Sequence, residues 1–160
     1  MKISVLSRSE MKSLVLREDF EKIAARTFFI SINNIFRYSE PPVLEPSPIP
    51  EKYAAQTLVL RFDDDAANGE ASEFLFDANK ARQIRDFANL AIAQKRDMIV
   101  HCTAGVSRSG AIGTVLNDYA NRFIADNPGD FEAFKNSAFY SRLVPNMSIA
   151  MALMRELEMI

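Results

Sequence analysis

The sequence predicts an α/β domain in which helices flank a central, mainly parallel sheet of four or five strands. Three observations lead there. Short apolar runs rich in β-branched and aromatic residues alternate along the chain with amphipathic patterns of helical period, as in successive βαβ units. The 160 residues are 48% hydrophobic, enough for one domain with a sizeable core. Finally, Met98 to Gly110, MIVHCTAGVSRSG, reads as strand, tight loop and helix, and the remaining elements fall into place around it.

Taken in order, Lys2 to Ser7 is a short strand, and Ser7 followed by Glu10 is a capping box opening a helix that runs through about Arg17 and continues weakly toward Ala25. Thr27 to Ile32, TFFISI, is a second strand, suited to burial on both faces of a parallel sheet, and Asn33 and Asn34 end it. Phe36 and Tyr38 then precede a segment with five prolines between Pro41 and Pro50, which exclude regular ladder structure. This segment is either a pocket rim carrying the two aromatics or a rigid connection whose aromatics pack on the core. Gln56 to Phe62 is a third strand, and Asp63, Asp64 and Asp65 follow it directly.

An amphipathic helix begins at Phe76 or Asp77 and ends near Lys95, with Ala81, Ile84, Phe87, Ala88 and Ala91 on its apolar face. Beyond the MIVH strand, Gly110 to Ala125 is a buried helix whose core face comprises Ala111, Ile112, Val115, Leu116, Tyr119 and Phe123. Asn127, Pro128 and Gly129 break it. A further helix spans Asp130 to about Phe139, and Pro145 and Asn146 introduce the last one, in which Met147, Met151, Met154 and Met159 fill gaps in the core.

Composition narrows the function classes. A net charge of −2 supplies no broad basic field for nucleic acid or an anionic membrane. The N-terminal stretch is interrupted by Arg8, Glu10 and Lys12, so it lacks a signal-peptide core, and no run is long enough to cross a membrane. One cysteine excludes an intrachain disulfide and fits a reducing cytoplasm. With a single histidine, a His-based metal site is a poor fit, and no cofactor is expected.

Chemistry concentrates in the 102–108 loop. Small residues (Thr103, Ala104, Gly105, Val106, Ser107) let the backbone curl against a helix N-terminus, where successive N–H groups and the helix dipole form an oxyanion cradle. Arg108 offers two parallel donors to one phosphate, and the same positive field favours Cys102 as thiolate. Adjacent strand residues face opposite ways, so His101 is not placed as a papain-like base for Cys102.

His101, Cys102, five residues, Arg108 and Ser109 resemble the H-C-x5-R-S/T motif of the cysteine-dependent protein tyrosine phosphatase superfamily. HCTAGVSRSG is most similar to the motif in its small dual-specificity and bacterial members. The resemblance implies that Cys102 attacks phosphorus to form a phosphocysteine, that Arg108 holds the equatorial oxygens, that Ser109 eases departure of the thiolate, and that His101 tunes Cys102 from the strand side. By the residues alone, Ser109 could equally be a first-turn helix residue bonding backbone. The resemblance also implies a general-acid aspartate in a loop after the preceding strand. The three aspartates stand there, 37 to 39 residues before Cys102, and matching TLVLRFDDD to the family's strand selects Asp64, with Asp63 as the alternative. One aspartate could instead cap the following helix, whereas a metal site would need more oxygen ligands than the pattern offers.

The expected reaction is metal-free, two-step hydrolysis of phosphomonoesters. The resemblance also bears on substrate: phosphoinositide phosphatases of that superfamily usually carry lysines inside the loop, whereas Thr103, Ala104, Val106 and Ser107 are neutral, which favours protein phosphotyrosine, with phosphoserine and phosphothreonine beside it, over highly charged inositol head groups. A small non-protein phosphomonoester is the alternative substrate. The rival classes are a silent phosphate-binding module and an enzyme acting on another oxyanion, such as an arsenate reductase, which generally needs further cysteines.

Overall fold

The computed structural model describes residues 1–64 and 74–160. Four strands form a parallel sheet: β1 (Ile3–Ser7), β2 (Thr27–Asn33), β5 (Thr57–Arg61) and β6 (Asp97–Cys102), in the order β1-β6-β2-β5. Register aligns their C-terminal ends, with Ser7 level with Cys102, Ser31 with His101 and Asn33 with Arg61. All four strands therefore deliver their last residues to one edge, where open parallel sheets hold ligands.

The sheet's two faces have different cores. Alternation along β2 and β6 sends Phe28, Ile30, Met98, Val100 and Cys102 to a large core shared with helices α3 (Ala78–Ala93), α4 (Arg108–Asp118) and α6 (Met147–Glu156). Phe29 faces the other way, into a smaller cluster with Met11, Phe20 and Ile49 beside α1 (Arg8–Val15) and α2 (Phe20–Ala24). Gly113 lets α4 lie close on β1, since a Cβ there would meet Val5 Cγ2 at 2.5 Å.

The Ser7–Glu10 capping box opens α1 as expected, and Asp77 caps α3 through the Lys80 amide. Several expectations need correction. The first helix does not run on to Ala25: it stops at Val15, where Leu16 has no core to enter, and a turn braced by the Arg17–Asp19 ion pair leads to the separate α2. The proline-rich stretch does form one ladder, a two-residue antiparallel pairing of β3 (Ile35–Phe36) with β4 (Val43–Leu44), fitted between Pro42 and Pro46. Helix α5 (Pro128–Lys135) begins and ends earlier than the pattern implied, because Asn127 caps it and Pro128 occupies its first turn.

The helix after the 102–108 loop changes pitch. It is α-helical to Asp118, then widens into a π turn over Tyr119–Ile124. The wider turn rotates the helical register, so Phe123 is 57% exposed and stacks on Tyr119 instead of entering the core. Met154 in α6 and Met159 just beyond it pack against the core as expected, but Met147 and Met151 face outward, because residues before and between the buried Ile149, Ala150 and Leu153 lie on the opposite side of the helix.

Candidate active site

Strand β6 ends at Cys102, and the chain turns through Thr103–Ser107 into α4. The loop's shape follows from where its carbonyls go. Thr103 C=O accepts from the Arg8 amide (3.1 Å), Gly105 C=O from Arg142 Nε (3.2 Å), Val106 C=O from the Val144 amide (3.2 Å) and Ser107 C=O from the Asn146 amide (3.3 Å). In a trans peptide C=O and N–H point in opposite directions. With these carbonyls pulled outward, the N–H groups of Ala104, Val106, Ser107 and Arg108 are turned toward the hollow, at the N-terminus of an 11-residue helix.

Gly105 is required at the loop's crown. Its φ is +68°, and a Cβ would stand 2.5 Å from the Ser7 amide nitrogen and 2.7 Å from the Leu6 carbonyl carbon. The turn and its close seat on β1 both exclude a side chain.

Cys102 lies at the floor, 2% exposed. Its Sγ is 3.0 Å from Ser109 Oγ and accepts from the Gly105 amide at 3.3 Å. Burial is the largest single influence on the thiol and opposes ionisation. The Ser109 hydroxyl, the amides of Ser109 and Gly105, and the Arg108 charge together outweigh it, leaving the thiol below its ordinary value. Arg108 is 7% exposed, with Nη1 donating to Phe62 C=O (2.8 Å) and Asn34 Oδ1 (2.9 Å) and Nη2 to Thr103 Oγ1 (3.2 Å). Asn34 Nδ2 donates to the same Thr103 hydroxyl at 3.0 Å, closing a ring of bonds that orients the guanidinium.

Asp64 reaches this loop from the end of β5. Its Oδ1 accepts from Ser107 Oγ at 2.7 Å and from Asn146 Nδ2 at 3.1 Å. Asp63 is turned aside and pairs with Arg37 at 3.3 Å. Asp65 lies outside the described residues, as does most of the AANGEASEF insert. Both described aspartates border a cleft of about 680 Å³ that ends on Arg108 and is walled by residues 34–39. The two aromatics of this segment do not pack on the core: Phe36 is 46% exposed in the cleft wall, and Tyr38 is 90% exposed.

His101 is not in the cavity. It is fully buried on the opposite face of the sheet from Cys102, with Nε2 sharing a 2.6 Å hydrogen bond with Ser31 Oγ, itself bonded to Ser47. Nδ1 has no partner of good geometry. Burial pushes the imidazole down to about 4, only partly offset by the Cys102 backbone, and the Arg8 and Arg108 charges add to the depression.

The structure thus brings together Cys102, the 103–107 loop, Arg108, Ser109 and Asp64. Sequence reasoning missed Asn34, Arg142 and the Phe62 carbonyl. Position alone could have flagged Asn34, since it follows a buried strand at the ligand-bearing edge. Nothing local marks Arg142. Among the described residues no group of three or more His, Cys, Asp or Glu is arranged to hold a metal ion, and no helix is long and apolar enough to cross a membrane.

The sheet order, the flanking helices and the strand-loop-helix at one sheet edge define a protein tyrosine phosphatase-like α/β fold. The chain matches no protein-family profile and no curated protein. Among solved structures it is similar to PTPMT1 in complex with PI(5)P, at 15% identity and a TM-score of 0.52 over 99% of this chain and 91% of that one. It also aligns with Tk-PTP in its active form, at 12% identity and a TM-score of 0.47 over 98% of this chain and 90% of that one. A glycine-to-alanine mutant form of Tk-PTP aligns at 11% identity and a TM-score of 0.48, over 99% of this chain and 93% of that one.

Proposed function

We propose that the chain is a cysteine-dependent phosphatase that hydrolyses phosphomonoesters through a phosphocysteine intermediate. The observation that carries this is the outward anchoring of four loop carbonyls around Cys102 Sγ, which leaves N–H groups and Arg108 to receive a tetrahedral oxyanion. In the first step Cys102 thiolate forms a bond to phosphorus as the ester P–O bond breaks, and the Asp64 carboxyl protonates the departing oxygen. In the second, water attacks phosphorus, Asp64 takes its proton, and the P–S bond breaks to return thiolate and inorganic phosphate. Ser109, 3.0 Å from Sγ, stabilises the thiolate as it leaves. Arg108 and the amides stabilise charge on the equatorial oxygens throughout.

Phosphotyrosine in proteins is the preferred substrate, with phosphoserine and phosphothreonine beside it. The loop side chains between Cys102 and Arg108 are neutral, and Phe36 and Tyr38 give the cleft an aromatic rim. The second reading is a non-protein phosphomonoester; Arg37, which borders the cleft, is ion-paired with Asp63. The low thiol pKa and the absence of a second cysteine suit a reducing cytoplasm.

The test is steady-state hydrolysis of an aryl phosphate without added metal across pH 4.5 to 8. Cys102→Ser abolishes turnover, and Asp64→Asn removes the basic limb of the profile. A wild-type protein that binds inorganic phosphate without turning over ester is a binding module instead. Comparing kcat/KM for phosphotyrosyl peptide and soluble phosphoinositide separates the two substrate classes.

A further inference from the structure

Gly105 has both backbone groups committed: its N–H to Cys102 Sγ at 3.3 Å, and its C=O to Arg142 Nε at 3.2 Å on the loop's outer side. Arg142 comes from the turn Tyr140–Arg142, 37 residues further along the chain. The same guanidinium donates to Val5 C=O (3.3 Å) in β1 and to Glu10 in α1, at 2.6 Å to Oε1 and 3.3 Å to Oε2. Glu10 Oε1 also accepts from the Ser7 amide at 2.9 Å, as part of the capping box. One side chain therefore ties together the middle of β1, the start of α1 and the crown of the loop.

We propose that Arg142, held in place by Glu10, is a positioning residue for the oxyanion loop: it pins the Gly105 carbonyl outward, so that the Gly105–Val106 peptide presents its N–H to the hollow. A peptide next to glycine rotates more freely than one between side-chain-bearing residues. Reversing this one would aim a carbonyl oxygen at the thiolate and at any bound oxyanion. Arginine suits the task because its planar fork serves two carbonyls and a carboxylate at once, whereas a lysine ammonium is a compact point charge. An exposed ion pair such as Arg142–Glu10 contributes little to folding stability, so its main effect is on the loop it holds.

The other polar groups around Cys102 are accounted for. Arg108 faces it from α4, His101 lies neutral behind it on β6, and Asp64, from the β5 side, is held by Ser107 and Asn146. The Arg8 guanidinium is directed to Asn33 and Glu45.

This inference rests on the 102–108 loop being an oxyanion site, and its test does not require turnover. Cys102 is the sole cysteine, so the pH dependence of alkylation by iodoacetamide reports on one thiol. For wild type, Arg142→Met and Arg142→Lys, three quantities are measured: the thiol titration, the Kd for inorganic phosphate and the unfolding temperature. Arg142→Met is expected to raise the thiol pKa by about one unit, a tenfold loss of thiolate below the midpoint. Phosphate binding weakens roughly tenfold alongside it. Arg142→Lys falls between Arg142→Met and wild type. A thiol titration and phosphate Kd unchanged in Arg142→Met overturn the proposal, whatever happens to the unfolding temperature. Should Arg142→Met fail to fold, Arg142→Lys decides in the same way: a shift supports the role and no shift overturns it. If wild type binds phosphate but hydrolyses no ester, the phosphatase reading fails while the positioning role remains measurable.

Discussion

Replacing Gly105 by alanine tests the loop's construction most directly. Two costs can be worked from the structure. A residue with a Cβ at φ +68° sits in the left-handed region, at about 1–2 kcal/mol. The new methyl would also stand 2.5 Å from the Ser7 nitrogen and 2.7 Å from the Leu6 carbonyl carbon. These are backbone atoms of the strand that pairs with β6, so they yield little, and overpacking of this kind costs about 1–3 kcal/mol. Together the loss is about 2–5 kcal/mol, or roughly 5–20 °C in Tm for a chain of this size. Relief by lifting the crown off β1 would draw the Gly105 N–H away from Sγ and raise the thiol pKa. The assays are urea unfolding at pH 7 and the alkylation titration of Cys102. An alanine variant within about 0.5 kcal/mol of wild type, with an unshifted thiol, would refute both the required positive φ and the close seat on β1.

Two further outcomes follow from the same geometry. Ser109→Ala removes the hydroxyl 3.0 Å from Sγ but keeps the Gly105 and Ser109 amides, so the thiol pKa rises by about one to two units; an unshifted alkylation profile would contradict that contact. His101 titrates near 6.5 unfolded and at about 4 folded, so between those values the unfolded chain binds more protons and stability falls as pH drops. That contribution, on the order of 3 kcal/mol, is fully present above the unfolded value. His101→Gln, which can still bond Ser31 but does not titrate, should therefore lose less stability than wild type in urea unfolding between pH 7 and pH 4.5. Equal losses in the two proteins would place His101 in a more solvated setting than the structure shows.

What could be read from the sequence was local. The strand, loop and helix at 98–118 lie within some twenty residues, and the spacing of Cys102, Gly105, Arg108 and Ser109 carries their chemistry wherever the loop closes. The Ser7–Glu10 cap and the long α3 were equally legible, because capping and helical period depend on near neighbours. Asp64 could be placed at the right sheet edge, but its preference for Ser107 and Asn146, and the pairing of Asp63 with Arg37, depended on elements far along the chain.

Tertiary structure decided the rest. Asn34 meets Arg108 across 74 residues and Arg142 meets Gly105 across 37, and no periodicity or composition records such pairings. The π turn that exposes Phe123 likewise escapes a pattern that assumes one constant pitch. Sequence determined which side chains the proposed chemistry draws on, because that is a property of residue type and short spacing. The sheet register and the distant residues it brings alongside decided which way the loop's carbonyls point, and with them which amides are turned toward the hollow.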